Sequence, residues 1–203
     1  MKRVLSVVLL LIASSSIACA QPGETVVNKT LGLEVTKPAG WQFLTAEANA
    51  ENLRSVHPDD KELQEAFRKY ATAPVVAFSK FAEPYPDLNP SFKINVRPLG
   101  QLAGRSAKEI LAIVLPTLNR IFPDLKVEQE PTETVVSGLP AAYARLQYTL
   151  VAGEQRFATV SELWIVPRKS YFFMIGAGTR QDEANGTRAE IQSILATVKI
   201  DPQ

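Results

Sequence analysis

From residue 31 onward the chain alternates apolar and polar positions. Leu31, Leu33 and Val35 fall on one side, with Gly32, Glu34 and Thr36 on the other, the period of a half-buried strand. Lys37-Pro38-Ala39-Gly40-Trp41 then enforces a turn and presents Trp41 ahead of Gln42-Phe43-Leu44. A weakly patterned helical stretch begins at Thr45. A clearer helix follows His57-Pro58, with Leu63, Ala66, Phe67 and Tyr70 at helical spacing and Asp59 and Asp60 in its first turn. Residues 75–81 read as an apolar strand. A loop with Pro84, Pro86 and Pro90 follows, which cannot belong to a central strand because proline donates no ladder hydrogen bond. Phe92, Ile94 and Val96 next alternate with Lys93, Asn95 and Arg97, a strand with one wet or functional face.

The longest helix is expected from Ser106, a good N-cap. It carries Ile110, Ile113, Val114, Leu118 and Ile121 as a stripe, widened by Leu111, Leu115 and Phe122. Pro116 inside it predicts a kink or a break. Strands then follow over 126–136, 141–151, 156–166 and 171–177. They are joined by Ser137-Gly138-Leu139-Pro140, Ala152-Gly153-Glu154 and Pro167-Arg168-Lys169-Ser170, links short enough to imply an antiparallel meander. Thr187-Arg188-Ala189-Glu190 is a capping box for a closing helix, with Ile191, Ile194, Leu195 and Val198 on one face. Strands in one sheet with amphipathic helices needing cover predict an α+β fold, a central, mostly antiparallel sheet flanked by helices.

The N-terminus stands apart from this pattern. Lys2 and Arg3, an apolar run over 4–13 and a small-residue stretch ending at Ala20 have the three-part order of a secretory signal, and the run is too short to span a bilayer. Ala18-Cys19-Ala20 fits ordinary signal-peptidase cleavage after Ala20. Cys19 offers the alternative of lipidation at the cell envelope, but Ser16 stands where a lipoprotein signal usually carries a large apolar residue. The organisation expected is a signal over 1–20, a flexible lead over 21–30 and one domain over 31–203, in a periplasmic or secreted product with no membrane span.

Composition narrows the chemistry. Lys and Arg number 22 against 21 Asp and Glu, a near-neutral balance that argues against a nucleic-acid partner. The single cysteine lies at the signal junction, so no disulfide framework is available and the fold rests on its hydrophobic core.

The early strand into Pro38-x-Gly40-Trp41, Asn89-Pro90 before an alternating strand, Ser137-Gly138-Leu139-Pro140-Ala141 before a hairpin, and Tyr171-Phe172-Phe173 before the closing helix together resemble the PsbP-like superfamily. The resemblance spans nearly the whole chain beyond the signal. It implies an α/β/α sandwich around an antiparallel sheet, and a place among exported bacterial members whose roles are unclear. It supplies no shared catalytic motif, and likeness of fold does not license function.

Candidate sites are few. His57 is the only histidine, and with Asp59 and Asp60 it matches no closed metal-site spacing; it reads as a helix-entry residue beside acids that favour the macrodipole. No nucleophile motif is present, so no catalytic, metal or cofactor residue is assigned. A carboxylate-dependent hydrolase would have to assemble Glu162 with Glu34 or Asp87, whereas Glu162 reads more simply as the cross-strand partner of Arg145. Lys93, Asn95 and Arg97 on one strand and Tyr143, Arg145 and Gln147 on another would form a ligand face if those strands share a sheet, against the plainer reading of a solvated face. Tyr85, in the loop Glu83-Pro84-Tyr85-Pro86-Asp87-Leu88-Asn89-Pro90, is a stiff aromatic suited to a partner contact, unless the loop is only a long connection. Trp41 and Trp164 are expected in the core. The sequons at Asn28 and Asn185 are chance matches in a bacterial product. The function expected is a non-enzymatic binding or accessory protein of the cell envelope, with an unknown protein or small polar ligand as partner.

Overall fold

A computed structural model describes residues 23–44 and 74–202. The expected signal with Cys19 and Ala20, and the expected helices with His57, Asp59 and Asp60, lie outside these residues. Strands β1 (Glu24–Asn28), β2 (Leu33–Lys37), β3 (Gln42–Phe43), β4 (Val76–Ser79) and β5 (Ser91–Pro98) precede helix α1 (Ala107–Ile121). Strands β6 (Lys126–Val136), β7 (Leu139–Ala152), β8 (Gln155–Pro167) and β9 (Tyr171–Arg180), helix α2 (Arg188–Leu195) and β10 (Lys199–Ile200) complete the described fold.

Seven strands form the main sheet in the order β3-β4-β5-β9-β8-β7-β6, and β1-β2-β10 form a second, smaller one. Every described pair is antiparallel. The meander runs through β6, β7, β8 and β9 as expected. Ser137 and Gly138 both take positive φ (53° and 75°), which makes a two-residue hairpin turn and leaves Leu139 and Pro140 inside β7 rather than in the loop. Pro131 falls within β6, an edge strand, where the ladder is irregular between Gln129 and Thr132, a place that tolerates a missing N–H.

The main sheet is covered on both faces, as an α+β sandwich requires. On one face Phe92, Ile94, Phe173, Ile175, Trp164 and Val166 pack with Leu33, Val35, Ile191, Ile194 and Ile200 from the small sheet and α2. On the other, Ala142, Ala144, Leu146, Ile165 and Phe172 pack with Ile110, Leu111 and Leu115 of α1. Phe78, Phe92 and Phe173 are fully enclosed, each stabilising the fold by about 1.5–3 kcal/mol relative to exposure. Trp41 and Trp164 are core residues, as expected.

Three expectations are corrected. Residues 24–28 are not a loose lead: they pair with β2 from Glu24↔Lys37 to Asn28↔Leu33, and Val26 packs on the core. Helix α1 runs through Pro116 without a break, because the missing donor lies at an exposed turn. Its buried stripe is Ala107, Ile110, Leu111 and Leu115, so Ile113 faces solvent at 45% exposure instead of joining the core. Both helix starts follow expectation, since Ser106 with Glu109 and Thr187 with Glu190 form complete capping boxes.

Candidate functional site

Lys93, Asn95 and Arg97 do share one face of β5, but the face does not extend to Tyr143, Arg145 and Gln147. Directly opposed residues of an antiparallel ladder project to the same side. Lys93 faces Gly176, Gly176 faces Leu163, and Leu163 faces Ala144. The Lys93 row therefore reaches β7 at Ala144, on the α1 side. Tyr143 and Arg145 belong to the rows of Ile94 and Phe92, on the α2 side. Two strands also separate β5 from β7. The composite ligand face is thus replaced by two separate sites.

On the α2 side the residues make a closed network. Tyr143 Oη donates to Glu162 Oε1, Arg188 Nε donates to the same oxygen at 2.9 Å, and Gln192 Nε2 approaches it at 3.4 Å. Glu162 is 4% exposed. Burial first, then the bond and charge of Glu162, push the Tyr143 hydroxyl up to about 12, with Arg188 acting the other way. Arg145 stands directly across the ladder from Glu162, yet its guanidinium approaches Glu128 (Nε to Oε2, 3.2 Å), and Gln147 also donates to Glu128. The expected Glu162–Arg145 pair is corrected in favour of Arg188, which descends on Glu162 from the first turn of α2. The network fastens a helix to the sheet.

On the α1 side the helix covers only part of the face. Beyond it lies a cavity of about 400 Å³. Its floor includes Ser91, Lys93 and Asn95 of β5, Met174, Gly176 and Gly178 of β9, and Ser161 and Leu163 of β8, and it runs out to Leu150 and Phe157 on the β7–β8 hairpin. Its wall is the proline-framed loop, with Glu83, Tyr85, Asp87, Leu88 and Asn89. Lys93, Asn95 and Tyr85 thus come together at one site. Arg97 lies two residues further along the same strand face, outside the lining. Burial lowers the affinity of the Lys93 ammonium for its proton, opposed by the charge of Glu83; burial does the same to Arg97.

The wall is held in place by side chains. Asn89 accepts from the Phe81 N–H through Oδ1 and donates through Nδ2 to Phe81 O and to Glu83 Oε1. Arg180 Nη1 donates to both oxygens of Asp87 at 2.9 Å, while the rest of its guanidinium engages Asp182. Asn185 Nδ2 donates to Leu88 O at 2.7 Å. Tyr85 stacks on Phe81 with ring centroids 4.4 Å apart. The loop is a preorganised rim, not a slack connection.

Four of the lining hydroxyls bond within the protein. Ser79 donates to Phe81 O, Thr159 donates to Phe157 O, and Tyr148 and Ser161 share a hydrogen bond of 2.9 Å. None of these bonds joins a hydroxyl to a base. Asp87 lines the cavity on the α1 side while Glu162 is buried on the α2 side, and Glu34 is engaged by Lys199. Glu162 and Asp87 are therefore not a facing carboxylate pair.

The sequence reading missed Gly176 and Gly178. Neither takes positive φ, so their backbone would accept any residue. A Cβ on Gly176 would meet only Leu163 Cδ2 at 3.6 Å among the described residues, and one on Gly178 only Ser91 Oγ at 3.6 Å. Both glycines lie in the Lys93 and Ser91 rows, so a side chain there would project into the cavity. Two glycines at alternate positions of an otherwise apolar strand are the signal that points to this floor.

The sequence matches no family model and no curated protein. Solved structures are similar in fold. LpqN of Mycobacterium tuberculosis, described as involved in cell envelope biogenesis, is 12% identical, with 91% of this chain and 88% of that chain covered and a TM-score of 0.50. PA94 of Pseudomonas aeruginosa, a protein of unknown function described as a putative regulator, is 10% identical over 90% of this chain and 99% of that chain, also at 0.50. CyanoP, the cyanobacterial PsbP of Synechocystis sp. PCC 6803, is 15% identical over 94% and 99%, at 0.49. At such identities the likeness is one of fold. The chain has the α+β sandwich that the motif order implied, and it shares that fold with LpqN and PA94.

Proposed function

We propose that this chain is an exported, non-enzymatic binding or accessory protein of the bacterial cell envelope, and that its binding site is the cavity over Lys93, Asn95 and the Gly176–Gly178 floor. The observation that carries the reading is a preformed cavity of about 400 Å³ whose wall is pinned by Asn89, Arg180 and Asn185. Mixed apolar and polar lining in a rigid concavity is the ordinary form of a small-molecule site. The bonding of Ser79, Thr159 and Ser161 within the protein supports binding over turnover, since an activated nucleophile needs a base within reach. The N-terminal signal pattern supports export with cleavage after Ala20, and Cys19 supplies the tethered alternative. The description of LpqN as involved in cell envelope biogenesis points to the same compartment.

Native mass spectrometry of the protein purified from its own envelope fraction tests this. Wild type is expected to carry a small-molecule adduct that stays chemically unchanged on prolonged incubation, and Ser161→Trp, which fills the floor, is expected to lose it. Equal adduct on both proteins, or conversion of the adduct by wild type alone, would overturn the reading.

A further inference from the structure

The charges that line the cavity are matched within the protein. Asp87 receives Arg180 Nη1 on both of its oxygens. Glu83 accepts from the Tyr85 N–H and from Asn89 Nδ2, at 2.9 Å each. Lys93 has a partner within the protein and lies in the field of Glu83. An ion brought in among them would shed its water with no unmatched charge to receive it, which penalises charged occupants.

The hydrogen-bonding capacity left over belongs to uncharged groups. Among the described residues, neither the Ser91 hydroxyl nor the Asn95 amide has a hydrogen-bond partner, and both line the cavity. Tyr148 and Ser161 share one hydrogen bond, which uses one of their two O–H groups and leaves the other to give. A hydroxyl and an amide each donate and accept, so the occupant they suit is uncharged and does both as well.

The rows of the sheet set the spacing of these groups. Ser91, Gly178 and Ser161 stand directly across β5, β9 and β8, so the two serines are two strand spacings apart, roughly 9–10 Å. Gly178 puts no side chain between them, and Gly176 opens the next position of β9 in the same way. That width takes one six-membered ring hydrogen-bonded at both edges. Asn95 lies four residues along β5 from Ser91, roughly 13 Å, which one ring does not reach and two linked rings do. Leu163 and Met174 add apolar surface to the floor, against which the C–H faces of such rings can lie.

We propose that the cavity binds a neutral disaccharide, one ring over Gly178 between Ser91 and the Tyr148–Ser161 pair, the other over Gly176 with its hydroxyls on Asn95. This rests on the reading of the cavity as a binding site. Its polar rim answers the unspent donors and acceptors, and its lack of charge suits a lining whose own charges are already matched.

Chemical-shift titration of the full chain, labelled with ¹⁵N, tests the proposal with maltose, cellobiose, lactose and N,N′-diacetylchitobiose. The cation chitobiose and the anion cellobionate serve as charged counterparts. At least one neutral disaccharide is expected to shift the amides of Gly176 and Gly178, and the charged counterparts to bind at least tenfold more weakly. Asn95→Leu and Ser91→Ala are each expected to weaken that disaccharide about fivefold to tenfold with the melting temperature held, since neither side chain gives up a described partner. Gly178→Val, whose Cβ fits at ordinary contact distance, is expected to abolish the shifts. Val135→Thr, on the exposed edge strand, is expected to bind as wild type.

Binding of a charged counterpart as tight as that of the neutral sugars would overturn the proposal, as would no response to any neutral disaccharide. So would wild-type affinity in both Asn95→Leu and Ser91→Ala, or melting temperatures lowered by several degrees in both, which would assign these side chains to the fold. Any of these results, with the envelope adduct still lost in Ser161→Trp, removes the saccharide and leaves the binding function standing. Retention of the adduct by Ser161→Trp removes the function itself.

Discussion

Arg188 Nε lies 2.9 Å from Glu162 Oε1, joining the first turn of α2 to a carboxylate buried in the middle of β8. The oxygen also takes the Tyr143 hydroxyl, so a single buried atom anchors strand, neighbouring strand and helix. Arg188→Ala leaves that carboxylate without its cation. A loss of about 2 kcal/mol is expected in urea unfolding, below the full cost of breaking a buried pair because water reaches the exposed guanidinium side. A change under a few tenths of a kcal/mol would show that Tyr143 and Gln192 satisfy Glu162 without Arg188.

The same network gives a signature at high pH. The Tyr143 hydroxyl titrates near 10 in the unfolded chain and is held up to about 12 in the fold, chiefly by burial and then by the bond and charge of Glu162. A raised pKa contributes stability that is complete below the unfolded value and disappears as pH rises through the folded one. Stability should therefore fall between roughly pH 10 and 12, by an amount on the order of 2 kcal/mol. Tyr143→Phe should flatten that part of the profile while lowering stability near neutrality by about 1 kcal/mol. Parallel wild-type and variant profiles over that window would assign the alkaline loss to other groups.

Asp87 ties the cavity rim to Arg180. Asp87→Asn keeps the shape and removes the charge, and Arg180 retains Asp182. Faster amide exchange is expected over residues 84–89, together with weaker retention of the cavity ligand, and no change in the exchange of β6 or α1. Unaltered exchange in the loop would show that Asn89 and Asn185 suffice to hold it.

Helix α1 separates what periodicity can tell from what it cannot. Leu111 is fully buried, and Leu111→Ala should cost about 2–5 kcal/mol. Ile113 is 45% exposed, and Ile113→Ala should change stability by less than about 0.5 kcal/mol. Thermal unfolding of the two variants checks the assignment of faces. The apolar positions of this helix wrap widely enough that more than one stripe fits the sequence, and the choice is made by the sheet beneath it.

The same principle governs the rest of the reading. The N-cap at Ser106, the capping box at Thr187, the meander from Lys126, and the polar alternation of Lys93, Asn95 and Arg97 are local, and a strand or helix start carries its own signal. The face joining Lys93 to Tyr143 is not local. It depends on how many strands intervene and on the parity of each register, and neither β5 nor β7 encodes where β8 and β9 insert. Sequence alternation assumes one wet side, but β7 buries Ala141, Ala142, Tyr143 and Ala144 in succession because both of its sides are covered. Strand β1 escaped notice for a similar reason: five residues with one half-buried valine acquire meaning only beside β2. Asn89 and Tyr85 were visible as loop residues, but their role as a cavity wall arises from contacts with Phe81 and from a floor distant in sequence.

The central claim is that ligand is held on the α1 side of the sheet and not on the side of Tyr143, Arg145 and Gln147. The direct measurement places a photoreactive benzoylphenylalanine at Tyr85 on the cavity rim, or at Gln147 on the opposite face, and weighs the protein after illumination of living cells. A discrete added mass at position 85, absent at 147 and lost when Ser161→Trp is combined with it, is the predicted result. Capture at 147, or none at 85, would contradict the account.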